Sequence, residues 1–341
     1  MTELAVRTRH VSFRLPWRSI FVAGLLAVAL ALVSLWSVLA GDYPLTPSQV
    51  WSAMAGSGEA GADFVVRTLR LPRILTGALV GMALGMSGAA FQSLAQNPLG
   101  SPDIIGFDRG AAVGAIVALT MFPAVPVAVG AVAGGMITAG LVYVFAWQRG
   151  VRSYRLVLVG IGVGFTATAL VDFLLTRADI NQVEQATVWI TGSLNGRTWQ
   201  QVSMLAVGLA VLAPAIVGMQ RSLDRLALGD DTAVGLGIGV ERAKLLVVLL
   251  AVTLAALAVA AAGPVAFVAF VSGPIARRLA FSPGACLVPA ALVGAVVTVG
   301  ADVAARSFPA SVELPVGIAT SLIGAPYLLW ILARQVKAGV L

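Results

Sequence analysis

Long apolar runs, each about as long as a bilayer-crossing helix, alternate with short polar joints along almost the whole chain. Ten can be drawn, at 20–40, 74–95, 103–122, 125–147, 156–176, 199–219, 243–262, 264–280, 284–304 and 314–333. A span needs roughly 20 mostly apolar residues. Within each run the apolar positions are continuous rather than alternating, which predicts helices and excludes barrel strands. The run at 264–280 is short and holds Gly273-Pro274, so nine spans is the competing count. The predicted fold is an all-α polytopic membrane protein of about ten transmembrane helices.

The pattern has three irregularities. The second span carries Gly77, Gly81 and Gly85, then Ser87 and Gly88, a small-residue spacing that lets helix backbones approach where water supplies no driving force. Asn97-Pro98-Leu99-Gly100-Ser101-Pro102, Gly263-Pro264 and Gly273-Pro274 interrupt apolar sequence. Broken backbone at that depth must be covered by protein or line a wet cavity, an arrangement common in transporters. A polar, acid-bearing island of short-helix composition, 222–240, separates two spans. A chain confined to lipid has no need of such an island unless something soluble docks on it.

Composition agrees: 59% of the 341 residues are apolar and 11% charged, against about 25% charged in soluble domains. The single cysteine, Cys286, excludes an internal disulfide. The single histidine, His10, precedes the first span. No intramembrane metal cluster can be assembled and no cofactor is expected. The first run is longer than the roughly 7–15 apolar residues of a secretory signal, so it is read as a retained span, although Leu39-Ala40-Gly41 imitates a cleavage site. With ten spans, fifteen of the 22 lysines and arginines fall on the side of the N-terminus and six on the other. This bias places both termini in the cytoplasm. The chain then divides into a cytoplasmic segment 1–19, a permease domain 20–335 with a cytoplasmic loop 222–240, and a tail 336–341. Loops at about 41–70 and 177–198 face outward. The basic balance marks topology, not nucleic acid.

Candidate chemistry is sparse. Asp172 lies about a turn from the end of its run, Asp108 and Arg109 stand adjacent near a span start, and Asp302 and Glu313 sit at span ends near water. The missing mid-span acid argues against an ion-coupled secondary transporter. No Gly-x-x-x-x-Gly-Lys-Ser/Thr loop binds ATP here, and no nucleophile has a base within the spans.

Four segments resemble one family in order: Arg70-Leu-Pro-Arg73, Asn97-Pro-Leu-Gly-Ser-Pro-Asp-Ile-Ile-Gly-Phe107, Leu228-Gly-Asp-Asp-Thr-Ala-Val-Gly-Leu-Gly237 and Glu313-Leu-Pro-Val-Gly-Ile-Ala-Thr-Ser-Leu-Ile-Gly-Ala-Pro326. The chain, from about residue 20 to 335, is similar to the FecCD permeases of type II ATP-binding-cassette importers for iron–siderophores, haem and cobalamin. The resemblance implies a ten-helix permease paired with a second permease subunit, the path lying between them. It also implies two cytoplasmic ATPase subunits, an extracytoplasmic siderophore-binding protein and a location in the bacterial inner membrane. The Gly-Ser-Pro-Asp and Gly-Asp-Asp-Thr-Ala wording is shared with members that carry a catecholate ferric-siderophore cargo and pair with a sister subunit. Haem or cobalamin is the alternative cargo.

Residue roles follow from the same likeness. Arg70, Arg73 and Arg306 match outward arginines that receive acidic residues of the binding protein, a pairing suited to the guanidinium fork; the plain alternative is a snorkelling arginine. Asn97 and Leu99 match one cytoplasmic gate, Ser153 and Tyr154 a second; a capping turn and an interfacial tyrosine are the alternatives. The 224–239 segment matches paired coupling helices that enter the ATPase, with Leu226, Leu228, Val234 and Leu236 as docking face, Gly229 and Gly235 as turns, and Asp230 and Asp231 between them. One departure stands out. The family reads Val-x-Pro-His-Ile-x-Arg where this chain has Val271-Ser-Gly-Pro-Ile-Ala-Arg277, so no histidine role transfers and the helix break is expected to shift.

Overall fold

The computed structural model describes residues 3–7, 12–41, 43–98, 100–103, 106–147, 153–307 and 314–337. Leu99 and Glu313 lie outside them. A short antiparallel hairpin comes first, β1 (Glu3–Arg7) on β2 (Ser12–Pro16), in register from Glu3↔Pro16 to Arg7↔Ser12. Pro16 has no amide to continue a ladder, and α1 (Trp17–Leu39) begins at the next residue.

Among the described residues the remaining elements are helices. After α2 (Pro47–Ala55) and α3 (Ala60–Asp63), a wider π-helical stretch, Phe64–Arg70, runs unbroken into α4 (Leu71–Ala95). Then follow α5 (Phe107–Met121), α6 (Val127–Ala146), α7 (Ser153–Arg177), α8 (Ile180–Ile190) and α9 (Trp199–Gly218). The chain closes with α10 (Gln220–Leu226), α11 (Asp230–Gly235), α12 (Val240–Ala262), α13 (Val268–Ala280), α14 (Leu287–Arg306) and α15 (Val316–Lys337). Helices α1, α4 to α7, α9 and α12 to α15 occupy the ten predicted runs. Seven helical segments among the described residues are long and apolar enough to cross a membrane. Two of the others, α5 and α13, have only 15 and 13 residues because each follows broken backbone.

Helix α4 is the buried axis, packed by α12, α13 and α14. Its glycines explain the closeness. A Cβ at Gly81 would collide with the Gly294 carbonyl, one at Gly85 with that of Ala290, and one at Gly88 with that of Ala269. Backbone therefore lies on backbone, as the spacing predicted. Ser87 Oγ adds a hydrogen bond to the Ala251 carbonyl at 2.6 Å, joining α12.

The two loops expected to face outward are partly helical. Capping boxes start α2 (Thr46 with Gln49), α8 (Asp179 with Gln182) and α9 (Thr198 with Gln201). This reciprocal satisfaction of first-turn amides follows from the local sequence at each start.

The expected breaks behave differently from one another. Gly263, at φ 74°, ends α12, and the freed backbone meets other loops: the Ser193 amide donates to Ala262 at 2.8 Å and the Gly317 amide to Gly192 at 3.4 Å. Protein covers this break, as the absence of water requires. Gly273-Pro274, by contrast, is no break, since α13 runs straight through it. Proline at 274 deprives the Phe270 carbonyl of its i+4 donor. Gln92 supplies one from α4, its Nε2 donating to the Phe270 oxygen at 2.8 Å. A side chain at 273 would collide with Gln92 Oε1; glycine there leaves room for the replacement donor.

Candidate functional site

Two ends of the bundle carry the candidate residues, and α4 connects them. At one end the polar island forms α10 and α11. Leu228, Val234 and Leu236 are 62%, 61% and 50% exposed, an apolar face projecting from polar surroundings. Leu226 differs from the expectation: it is buried with Leu223 in the main core, because it lies three residues on from Leu223 on the inward side of α10. Gly229 makes the first turn at φ 99°, but the second falls on Gly237, at φ 78°, not on Gly235, which is the last residue of α11. Asp230 opens α11 and accepts from Lys244 Nζ at 2.6 Å, fastening α11 to α12, while Asp231 is exposed. Asp224 Oδ1 accepts the Ala285 amide at 3.0 Å. Packing against the 281–286 loop raises the Asp224 carboxyl above its ordinary range, and the Ala285 amide opposes the rise.

The first gate position adjoins this island. Helix α4 ends with Gln96 in the left-handed region, φ 49°; the Gln96 amide donates to Ser93 at 3.4 Å and the Asn97 amide to Gln92 at 3.1 Å. This paired closure of a helix terminus fixes where Asn97 stands, and the Asn97 carbonyl accepts the Gly100 amide at 3.0 Å. Ser153 and Tyr154 open α7. Both candidate gate positions lie at the same end, since Phe91, near the end of α4, and Leu156, near the start of α7, line one small cavity. Tyr154 is 79% exposed, so it closes no path within a single chain.

The opposite end holds the three arginines, and here the expectation of free, outward guanidiniums fails. Arg70 is buried, donating to the carbonyls of Val38 at 2.6 Å and Tyr43 at 2.7 Å. Arg73 grips buried Asp302 through Nε and Nη2 at 3.0 and 2.9 Å. Arg306 Nε donates to the other Asp302 oxygen at 3.1 Å and its Nη2 to Ser37 Oγ at 2.6 Å. These groups satisfy carbonyls left open where α1 ends and pair with the one carboxylate among them. Asp302 thus sits in a clamp of two cations, not at a wet span end. Arg67 does the same for α2, reaching the carbonyls of Ala53 and Met54 at 2.8 and 2.9 Å.

Between the ends, two further features escaped the sequence. Gln92 Oε1 accepts from Arg277 Nη2 at 2.9 Å, so one amide bridges α4 to two points of α13. A cavity of about 350 Å³ opens where the broken loops meet, lined by Asp103, Asp108, Arg109, Thr191, Pro264 and Ser321 among others. The Asp103 carboxylate oxygens are buried near the Phe267 amide, and among the described residues no hydrogen bond of standard geometry reaches them. Acid therefore lies inside the bundle, in the broken segment before α5 and in the first turn of that helix, but not at the centre of a span. Asp172, in contrast, is exposed on α7. Among the described residues no group of three or more His, Cys, Asp or Glu could hold a metal.

The FecCD transport family is matched by residues 28–334. The chain is a member of it. This FecCD protein is 40% identical over 321 residues to the ferric enterobactin transport system permease protein FepG of Escherichia coli (strain K12), spanning 93% of this chain and 97% of that one. It is 35% identical to the Fe(3+)-citrate import system permease protein YfmE of Bacillus subtilis (strain 168), over 92% and 95% of the two chains. A solved structure described as an inward-facing conformation of a metal-chelate type ABC transporter superposes with a TM-score of 0.80 at 27% identity, covering 93% of this chain and 99% of that one. The FecCD chain is accordingly a multi-pass membrane permease of all-α architecture.

Proposed function

We propose that this chain is the transmembrane permease subunit of an ATP-driven importer that brings a ferric siderophore, of the catecholate class, across the bacterial inner membrane. The observation that carries the reading is the α10–α11 island. Three large apolar side chains stand exposed on a short, anchored, water-facing element, and such a surface is stable in water only when a partner covers it. The partner is a pair of cytoplasmic ATPase subunits, which puts the island and both termini in the cytoplasm. The charge bias of the loops supports that orientation.

The remaining roles follow from it. A second permease subunit, a sister FecCD protein, faces this one across the path. Asn97 with Leu99, and Ser153 with Tyr154, close the path at the island end, and exposed Tyr154 reaches its counterpart only in the dimer. At the far end an extracytoplasmic siderophore-binding protein docks on the surface that Arg70, Arg73 and Arg306 hold in shape. Similarity to permeases named for ferric enterobactin and for ferric citrate supports an iron–chelate cargo.

Leu228→Asp tests the reading. Placing a charge in a desolvated apolar contact removes several kcal/mol of binding. The variant is expected to reach the membrane, lose co-purification with the ATPase, and abolish uptake of radiolabelled iron supplied on a siderophore panel that includes catecholates, citrate and hydroxamates. Undiminished uptake would refute the docking role, and transport of a non-catecholate alone would refute the cargo class.

A further inference from the structure

Besides the Asp230–Lys244 pair on α11, side-chain hydrogen bonds tie α10 itself to the bundle, and one of them comes from the residue before the first gate. Gln96 Nε2 donates to the Leu226 carbonyl at 2.7 Å. Leu226 ends α10, where the carbonyl has no partner inside its own helix; Gly229 also donates to it, at 3.1 Å. The second fastening is Asp224 on the Ala285 amide, at the loop that leads into α14.

The geometry around Gln96 is specific. It holds a left-handed conformation at φ 49°, which a side chain with a Cβ disfavours. The closure that imposes this conformation also positions the Asn97 amide. Turning Gln96 therefore turns Asn97. A cavity of about 790 Å³, lined by Gln96, Asn97, Asp224, Leu228 and Arg277 among others, lies between α10 and the end of α4. Leu223 and Leu226 pack α10 on the bundle beside this cavity, and the Gln96 hydrogen bond adds a directional tie from the Leu226 backbone to the end of α4.

We infer that Gln96 is the positioning residue that carries motion of α10 into the end of α4 and so into the Asn97 gate, with Asp224 tying the same helix to α14. The inference rests on the coupling role proposed for the island. It assigns Gln96 no contact with cargo or nucleotide, only the transfer of displacement.

The test uses the whole importer, with its ATPase, sister permease and binding protein, in proteoliposomes, reading ATP hydrolysed per iron–chelate delivered. Gln96→Leu removes the donor at similar size. It is expected to leave assembly and ATP hydrolysis in place and to raise the ATP-to-cargo ratio about tenfold, as losing one hydrogen bond between two states implies. Gln96→Arg keeps an N–H donor and is expected to recover at least half of the coupling. A role limited to stability would lower assembly, hydrolysis and uptake together and leave the ratio unchanged, and that result overturns the inference. Should Gln96→Leu fail to assemble, Gln96→Glu, which keeps the side-chain length, loses the donor and adds a negative charge, is judged by the same ratio. If Leu228→Asp releases the ATPase while Gln96→Leu remains fully coupled, only this inference falls; if Leu228→Asp retains ATPase and uptake, the coupling reading falls with it.

Discussion

Replacing Gln92 with leucine, alone and combined with Pro274→Ala, examines how a helix survives an internal proline. In the native protein the Phe270 carbonyl is buried in α13 and receives its hydrogen from Gln92 at 2.8 Å, while the same amide accepts from Arg277 at 2.9 Å. Gln92→Leu leaves that carbonyl without a donor, at a cost of about 1–3 kcal/mol, and takes an acceptor from a charged group, about 1.5–3 kcal/mol more. In the Pro274→Ala background, the alanine amide lies one helical turn on from Phe270 and donates to it directly. The carbonyl is then satisfied without Gln92, and only the Arg277 contribution is lost. The two substitutions are therefore expected to couple by about 1–3 kcal/mol, well outside the roughly 0.5 kcal/mol scatter of independent sites. Unfolding of the four purified proteins, followed as helix content lost when sodium dodecyl sulfate is titrated into mild-detergent micelles, measures the cycle. Penalties that simply add would mean that the proline gap is filled by something other than Gln92.

Two further outcomes are expected from the bundle. Asp302→Asn neutralises the one carboxylate shared by Arg73 and Arg306 and is expected to destabilise the arginine end by about 3–5 kcal/mol, seen as a lower melting temperature in detergent; the triple change Arg73→Met, Asp302→Leu, Arg306→Met should recover much of that loss, and a melting temperature unmoved by Asp302→Asn would dismiss the clamp. Gly81→Val drives a side chain into the Gly294 backbone and is expected to cost about 3 kcal/mol or more, whereas Gly300→Val, on α14 with nothing within 4 Å of its Cβ, should leave yield and melting unchanged.

What sequence made visible follows a physical boundary. Long apolar runs and the Gly77–Gly88 spacing are local patterns with a single structural solution in lipid, so the ten helices and the close approach along α4 could be read directly. The helical character of the outer loops was equally local, written in Thr46–Gln49, Asp179–Gln182 and Thr198–Gln201, yet hydropathy alone hides it. Other features depend on partners far along the chain. Gly273-Pro274 reads as an interruption unless Gln92, on another helix, is known to stand opposite it. Arg73 and Arg306 read as surface charges unless Asp302 lies between them. Leu226 and Leu228, two residues apart, cannot be sorted into core and surface until α10 has a direction. The island itself was legible because polarity in that setting has few explanations; its attachment through Gln96 was not, since an exposed glutamine at a helix end carries no signature.

Backbone-on-backbone contact along α4 has a consequence for biosynthesis. The glycine face that receives Ala269, Ala290 and Gly294 leaves the ribosome roughly 180 to 210 residues before those partners do, on the order of ten to forty seconds at bacterial elongation rates. Through that interval the tightest seam of the finished permease has only lipid or the insertion machinery against it.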